Sequence, residues 1–194
     1  MTVTVKSYAA PPVDENAILR YAGVREADDE TKKLLASCLC EALDAITYKA
    51  CSIELPLDIK DSVCDFGLFS VHSEKLSKNL SSSRGAVVFT ATVGTALDRL
   101  IAKYTKLSPA RAVMLHAIGA ERVEALCNMF CDELRCRYGK VAPRFSPGYG
   151  DLPFDVQKDI FRILDCPKNI AVCLTDSLLM SPSKSVTAFV GVSD

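Results

Sequence analysis

Residues 86–92, Ala86, Val87, Val88, Phe89, Thr90, Ala91 and Thr92, limit the possible folds more than any other stretch of this chain. They read as a strand with little polarity on either face, so packed layers must cover it on both sides. Gly94-Thr95 follows, and Leu97, Leu100, Ile101 and Tyr104 then repeat at helical spacing. A strand that turns through glycine into a helix start suits an anion, because the first helical amides lack intrahelical partners, but it is also how any strand meets a helix. Ser108-Pro109 places a cap before a proline and opens a long helix to about Arg137. That helix is expected to bury Val113, Ala117, Ala120, Val123, Leu126 or Cys127, Phe130 and Leu134.

The remaining elements are shorter. Val3 and Val5 alternate with Thr4 and Lys6, predicting an edge strand or arm within residues 1–12 that Pro11-Pro12 closes. Asp14 caps a brief helix through Tyr21, stopped by Gly23, and Asp28 and Asp29 cap a longer one carrying Leu35, Leu39, Ala42, Leu43 and Ile46. Residues 51–59 predict one strand and residues 64–72 another, interrupted at Gly67. Ser73 starts a short helix with Leu76 and Leu80. Asp155 is expected to cap a helix carrying Val156, Ile160, Ile163 and Leu164, and residues 170–180 and 186–192 to pair as a hairpin across residues 181–184. Runs of helix against a mostly antiparallel, twisted sheet define an α+β fold, expected as one domain over residues 1–194.

Composition narrows the function classes. With 23 basic and 24 acidic residues and a net charge of −1, the chain lacks the basic stripe that nucleic acid needs. No apolar run approaches a membrane span and residues 1–10 do not read as a signal peptide, which predicts a cytoplasmic protein. The nine cysteines sit among Leu, Ala, Val and Met, as small hydrophobes in a reducing compartment do. Cys127 and Cys131 share a helix face, but the two histidines, His72 and His116, add no metal-ligand spacing. Neither a hydrolytic triad nor a metal site emerges.

Functional signal concentrates in residues 144–152. Arg144, Phe145, Ser146, Pro147, Gly148 and Tyr149 combine a guanidinium, a Pro-Gly turn and a phenol. Pro147 presets its own φ and Gly148 allows a positive one, which predicts a type II turn with Arg144 and Tyr149 on either side. Arg offers a fork for a carboxylate or phosphate, and Tyr a ring with one polar tip. A plain surface turn with a stacked Arg and Tyr is the competing reading. Glu124, beside the long helix's apolar stripe, either points into a cleft or pairs with Arg122 or Asn128 at the surface.

Three segments together resemble the activation domain of cobalamin-dependent methionine synthase, in its stand-alone form. They are the R-x-x-x-G-Y turn at Arg144, Gly148 and Tyr149, the Asp151-Leu152-Pro153 run with Gln157-Lys158, and the stretch from Thr175-Asp176-Ser177 through Ser181-Pro182 to Ser185-Val186-Thr187. The resemblance implies S-adenosylmethionine as cofactor, with Arg144 on the methionyl carboxylate, Phe145 to Tyr149 shaping the ligand turn, and Glu124 facing the sulfonium or ammonium. It implies no catalytic residue and no metal of the chain's own. The implied role is within a methyltransferase of methionine biosynthesis: reductive methylation of cob(II)alamin, the cobalamin being carried by the methionine synthase partner and the electron coming from a flavodoxin-like donor. The alternative is a binding or interaction module serving another corrinoid protein without catalysis of its own. A purely structural subunit with a vestigial turn is the third reading.

Three departures accompany the resemblance. The chain has no tryptophan, so the family's N-terminal Asp-Trp segment has no counterpart; residues 139–143 are too few to supply its second glutamate; and the sequence stops at Asp194, before its further tyrosine.

Overall fold

A computed structural model describes residues 2–193. Strand β1 (Thr4–Tyr8) precedes helix α1 (Glu15–Tyr21), whose N-cap Asp14 accepts from the Ala17 amide at 3.0 Å. Asp28 likewise caps α2 (Asp29–Ala45), accepting from the Thr31 amide at 2.8 Å. Each carboxylate satisfies an amide without an intrahelical partner and faces the positive end of the helix dipole, so both helices start where the sequence signals them.

The strand expected over residues 51–59 is two. Strand β2 (Tyr48–Pro56) runs antiparallel to β1, and β3 (Asp58–Lys60) leaves to join β4 (Val63–Asp65) and β5 (Ser70–His72) in a separate three-stranded sheet. The break follows Pro56, which has no amide to donate to a ladder. Gly67, with φ +75°, lies in the turn between β4 and β5. Helix α3 (Glu74–Leu80) starts at Ser73, whose Oγ accepts from the Leu76 amide at 3.0 Å. Then come β6 (Gly85–Thr92), α4 (Thr95–Leu107) and the 30-residue α5 (Pro109–Tyr138). A 3-10 turn (Phe154–Val156), α6 (Gln157–Leu164), α7 (Cys166–Ile170), β7 (Cys173–Leu174), β8 (Met180–Ser181) and β9 (Ser185–Val192) complete the chain.

The main sheet has the order β1-β2-β6-β9, every pair antiparallel. Strand β6 is central and buried on both faces, as its sequence requires. On one face Ala91, Phe89 and Val87 meet the apolar sides of α2, α4 and α5; Phe89 and Phe130 lie with ring centroids 4.4 Å apart. On the other, Val88 and Ala86 pack with Leu76, Leu80, Ile160, Leu164 and the small sheet. The result is the expected α+β architecture.

Several expectations fail locally. Residues 170–180 and 186–192 do not pair: β9 joins β6, while β7 and β8 form their own two-residue ladder. Ala171, with φ +56°, ends α7 where an extended run was expected, so Ile170 and Val172 are buried at a helix end while Ala171 is exposed. Asp155 lies inside the 3-10 turn that Pro153 precedes, rather than outside a helix as its cap. Val113 and Leu43 are exposed. Helix α5 instead buries Ala112, Met114, Leu115, Ile118, Glu121 and Arg122 as well as most of the expected stripe, because α1, α2, α4 and the sheet surround its middle.

Candidate functional site

Residues 141–145 lie along the free edge of β9. The Ala142 amide donates to the Gly191 carbonyl at 2.8 Å, and Phe145 and Phe189 exchange amide–carbonyl bonds of 2.9 Å. Adjacent residues of an extended segment point to opposite faces. Phe145 therefore enters the cluster around Phe189 and Ile160, and Arg144 turns to the other side, toward α5. There its Nη2 donates to Glu124 Oε2 at 2.9 Å and to Asn128 Oδ1 at 3.0 Å, two acceptors four residues apart on one helix face. Burial opposes the charge of Arg144, but Cys127 and Glu124 outweigh it and hold its pKa above the usual arginine value. The neighbouring Cys127 thiol is pushed up to about 12 by burial, which makes it an inert core group rather than a nucleophile.

Arg144 and Glu124 form part of the wall of a cavity of about 480 Å³ between α1 and α5. The N-terminal side contributes Pro11, Pro12, Asp14, Arg20 and Tyr21; α5 contributes Glu121, Ala125, Asn128, Met129 and Asp132. What fixes the N-terminal wall is Arg122, wholly buried, whose Nε and Nη2 reach Glu121 Oε2 and Oε1 at 2.5 and 2.6 Å. Its Nη1 and Nη2 also donate to the Pro11 and Pro12 carbonyls at 2.7 and 2.6 Å, and the Asp14 amide donates to Glu121 Oε1 at 3.2 Å. Glu124 thus pairs with Arg144, whereas Arg122 is taken by Glu121. The sequence analysis named Asp14 only as a helix cap and Arg122 only as a surface partner for Glu124, and gave neither a part in the cavity. Adjacent Glu121 and Arg122 inside an otherwise apolar helix run were the available signal.

The turn itself has the expected form. The Tyr149 amide donates to the Ser146 carbonyl at 3.1 Å and Gly148 has φ +82°, as position i+2 of a type II turn requires. A Cβ on Gly148 would sit 3.0 Å from Phe154 Cδ2. Tyr149 is 71% exposed and meets Phe145 edge-on, with centroids 5.7 Å apart. Ser146 and Pro147 are half-buried. Of the expected site residues, Arg144 and Glu124 therefore come together at the cavity, while residues 145–149 stand beyond its wall. Asp151 anchors the far side of the turn: its carboxylate accepts from Ser73 Oγ at 2.6 Å and from the Glu74 and Lys75 amides at 2.7 and 3.2 Å.

The Gly94 junction is plainer. Gly94 has φ +84° and takes Thr92 Oγ1 at 3.2 Å, and Asp98 in the first turn of α4 binds the Ser183 amide and hydroxyl at 2.7 Å each. A carboxylate already stands at that helix start. Among the described residues no three His, Cys, Asp or Glu side chains gather as metal ligands, and no helix is long and apolar enough to cross a membrane.

An antiparallel sheet layered between helices is a fold shared with a known structure. The chain belongs to the family described as vitamin B12 dependent methionine synthase, activation domain, whose model matches residues 77–194. Among solved structures it resembles the crystal structure of the MetH reactivation domain bound to AdoHcy, with a TM-score of 0.72 at 14% identity, covering 99% of this chain and 78% of that one. Comparison with curated proteins gives no match.

Proposed function

We propose that this chain is a stand-alone reactivation component for a cobalamin-dependent methionine synthase, one unit over residues 1–194 with residues 1–12 as its edge strand and arm. It binds S-adenosylmethionine and supports reductive methylation of cob(II)alamin on its partner, with the electron from a flavodoxin-like donor. The observation that carries this reading is the Arg144–Glu124 pair on the wall of the α1–α5 cavity, in a chain of this family. A volume of about 480 Å³ lies within the roughly 300–1,000 Å³ usual for small-ligand sites.

The residues fit an amino-acid sulfonium. Both hydrogen bonds from Arg144 to α5 leave from Nη2, so Nη1 and Nε remain as single donors to a ligand carboxylate, and a two-point fork would require Nη2 to release Asn128. Glu124 offers its second oxygen to the ammonium or sulfonium, and Asp14 adds a carboxylate to the facing wall beside Arg20, whereas Glu121 and Asp132 are paired with Arg122 and Arg135. Tyr149 stands beyond the cavity wall, on a turn shaped by Phe145, Ser146, Pro147 and Gly148, and its exposed ring would receive a flat heterocycle only where the ligand reaches out of the cavity. A sulfonium is already a good electrophile, so the chain needs no general base. Its residues bind the methyl donor, aim it and keep water away.

The test is the visible spectrum of the cobalamin on a synthase lacking its own activation domain, mixed with S-adenosylmethionine and a reduced flavodoxin-like donor. Return to the methylated spectrum only when this chain is added supports the reading. Ligand binding without any spectral change points to the alternative, a module serving another corrinoid protein. With neither, the activation role is wrong.

A further inference from the structure

We infer that Asp151 is the positioning residue of the ligand turn: by binding the start of α3 it sets where Pro147, Gly148 and Tyr149 stand. The inference rests on the S-adenosylmethionine reading of that turn. Helix α3 begins with three amides that have no intrahelical partner, at Glu74, Lys75 and Leu76. Ser73 serves only the Leu76 amide, at 3.0 Å. The other two go to Asp151, 77 and 76 residues away, and the buried Ser73 hydroxyl donates to the same carboxylate. One side chain thus accepts three hydrogen bonds from a helix far away in the sequence, two of them from that helix's own start.

The turn requires such an anchor. Gly148 and Gly150 have φ of +82° and +64°, a region glycine enters freely and also leaves freely. On the N-terminal side the chain is held at Phe145 by its bridge to β9. On the C-terminal side the turn's internal bonds end at Leu152, whose side chain is buried in the cluster around Phe189, and the hydrogen-bonded tie to the rest of the molecule is Asp151 on α3. Helix α3 is a firm base, since Leu76 and Leu80 are fully buried and the Ser73 amide bonds the Ser62 carbonyl at 2.9 Å. Lys75 lies so close over Gly150 that a Cβ there would be 2.4 Å from its Cδ, so turn and helix start are packed as well as hydrogen-bonded. Asp151 touches no part of the α1–α5 cavity wall and acts only through the turn.

The test compares Asp151→Ala and Asp151→Asn with the unaltered protein by three measurements. These are thermal unfolding, NMR of the protein with isotope-labelled tyrosine, and calorimetric titration with S-adenosylmethionine. The chain has six tyrosines, of which Tyr149 alone lies on the turn, so its ring signals report turn position without any ligand. The expected result is a shift confined to the Tyr149 ring in the folded Asp151→Ala protein, with ligand affinity lowered about ten- to hundredfold. Asp151→Asn, which keeps one acceptor oxygen, should recover part of both effects. Unchanged Tyr149 signals in Asp151→Ala would overturn the positioning role. A shifted Tyr149 with undiminished affinity would overturn its link to binding. If the unaltered protein gives no binding heat, the ligand reading of the turn fails, and this inference fails with it.

Discussion

Replacing Arg122 with Met tests whether the N-terminal cavity wall is held by one buried guanidinium. Arg122 is 0% exposed, and its carboxylate partner among the described residues, Glu121, is 5% exposed at the side chain. Removing the guanidinium leaves that carboxylate without its counter-charge, which typically costs about 3–5 kcal/mol. The Pro11 and Pro12 carbonyls also lose their donors, at about 0.5–1 kcal/mol each once water reaches them. A total near 5 kcal/mol corresponds to a fall in Tm of roughly 10–20 °C for a chain of this size. The double variant Glu121→Gln/Arg122→Met, which removes the unpaired charge, should be more stable than Arg122→Met alone by about 2 kcal/mol. Urea unfolding of the three proteins measures both quantities. A loss below about 1 kcal/mol for Arg122→Met, or a double variant less stable than the single, would refute the reasoning.

Gly148→Ala forces an L side chain to φ +82° and brings its Cβ to 3.0 Å from the Phe154 ring, so it should cost about 1–2 kcal/mol in urea unfolding; a neutral result would mean that the turn relaxes freely. The Asp151 carboxyl is held below the usual aspartate pKa, first by the Ser73 hydroxyl and then by the Glu74 and Lys75 amides. Its contribution to stability is therefore complete above about pH 4 and is lost as pH falls through the depressed value. The stability difference between the unaltered protein and Asp151→Asn should shrink on acidification, and a difference that grows would contradict that assignment.

Local chemistry made much of the fold legible. Asp14, Asp28 and Ser73 each cap the helix that the sequence assigns them, and Ser108-Pro109 opens α5. The two-sided apolar character of residues 86–92 gave β6 its central place. What failed was long-range. Nothing near Ile170 says that β9 will choose β6 over a closer partner, because pairing is decided by which faces remain to be covered rather than by strand pattern. Val113 reads as a stripe residue only if α5 is covered on one side, and its burial is set by four neighbouring elements. Arg144 and Glu124 were identified as candidates because their chemistry is unusual where they occur. Arg122 was passed over as a surface charge despite Glu121 beside it, and Asp151 was noticed only as part of a run, since the Pro12 carbonyl and the Glu74 amide that they bind lie 110 and 77 residues away.

Calorimetric titration of S-adenosylmethionine into the unaltered chain and into Arg144→Ala tests the central claim most directly. One ligand should bind per chain, with the heat abolished in Arg144→Ala while its folded far-ultraviolet spectrum is retained. Equal binding by both proteins would contradict the assignment of Arg144, and binding by neither would contradict the site itself.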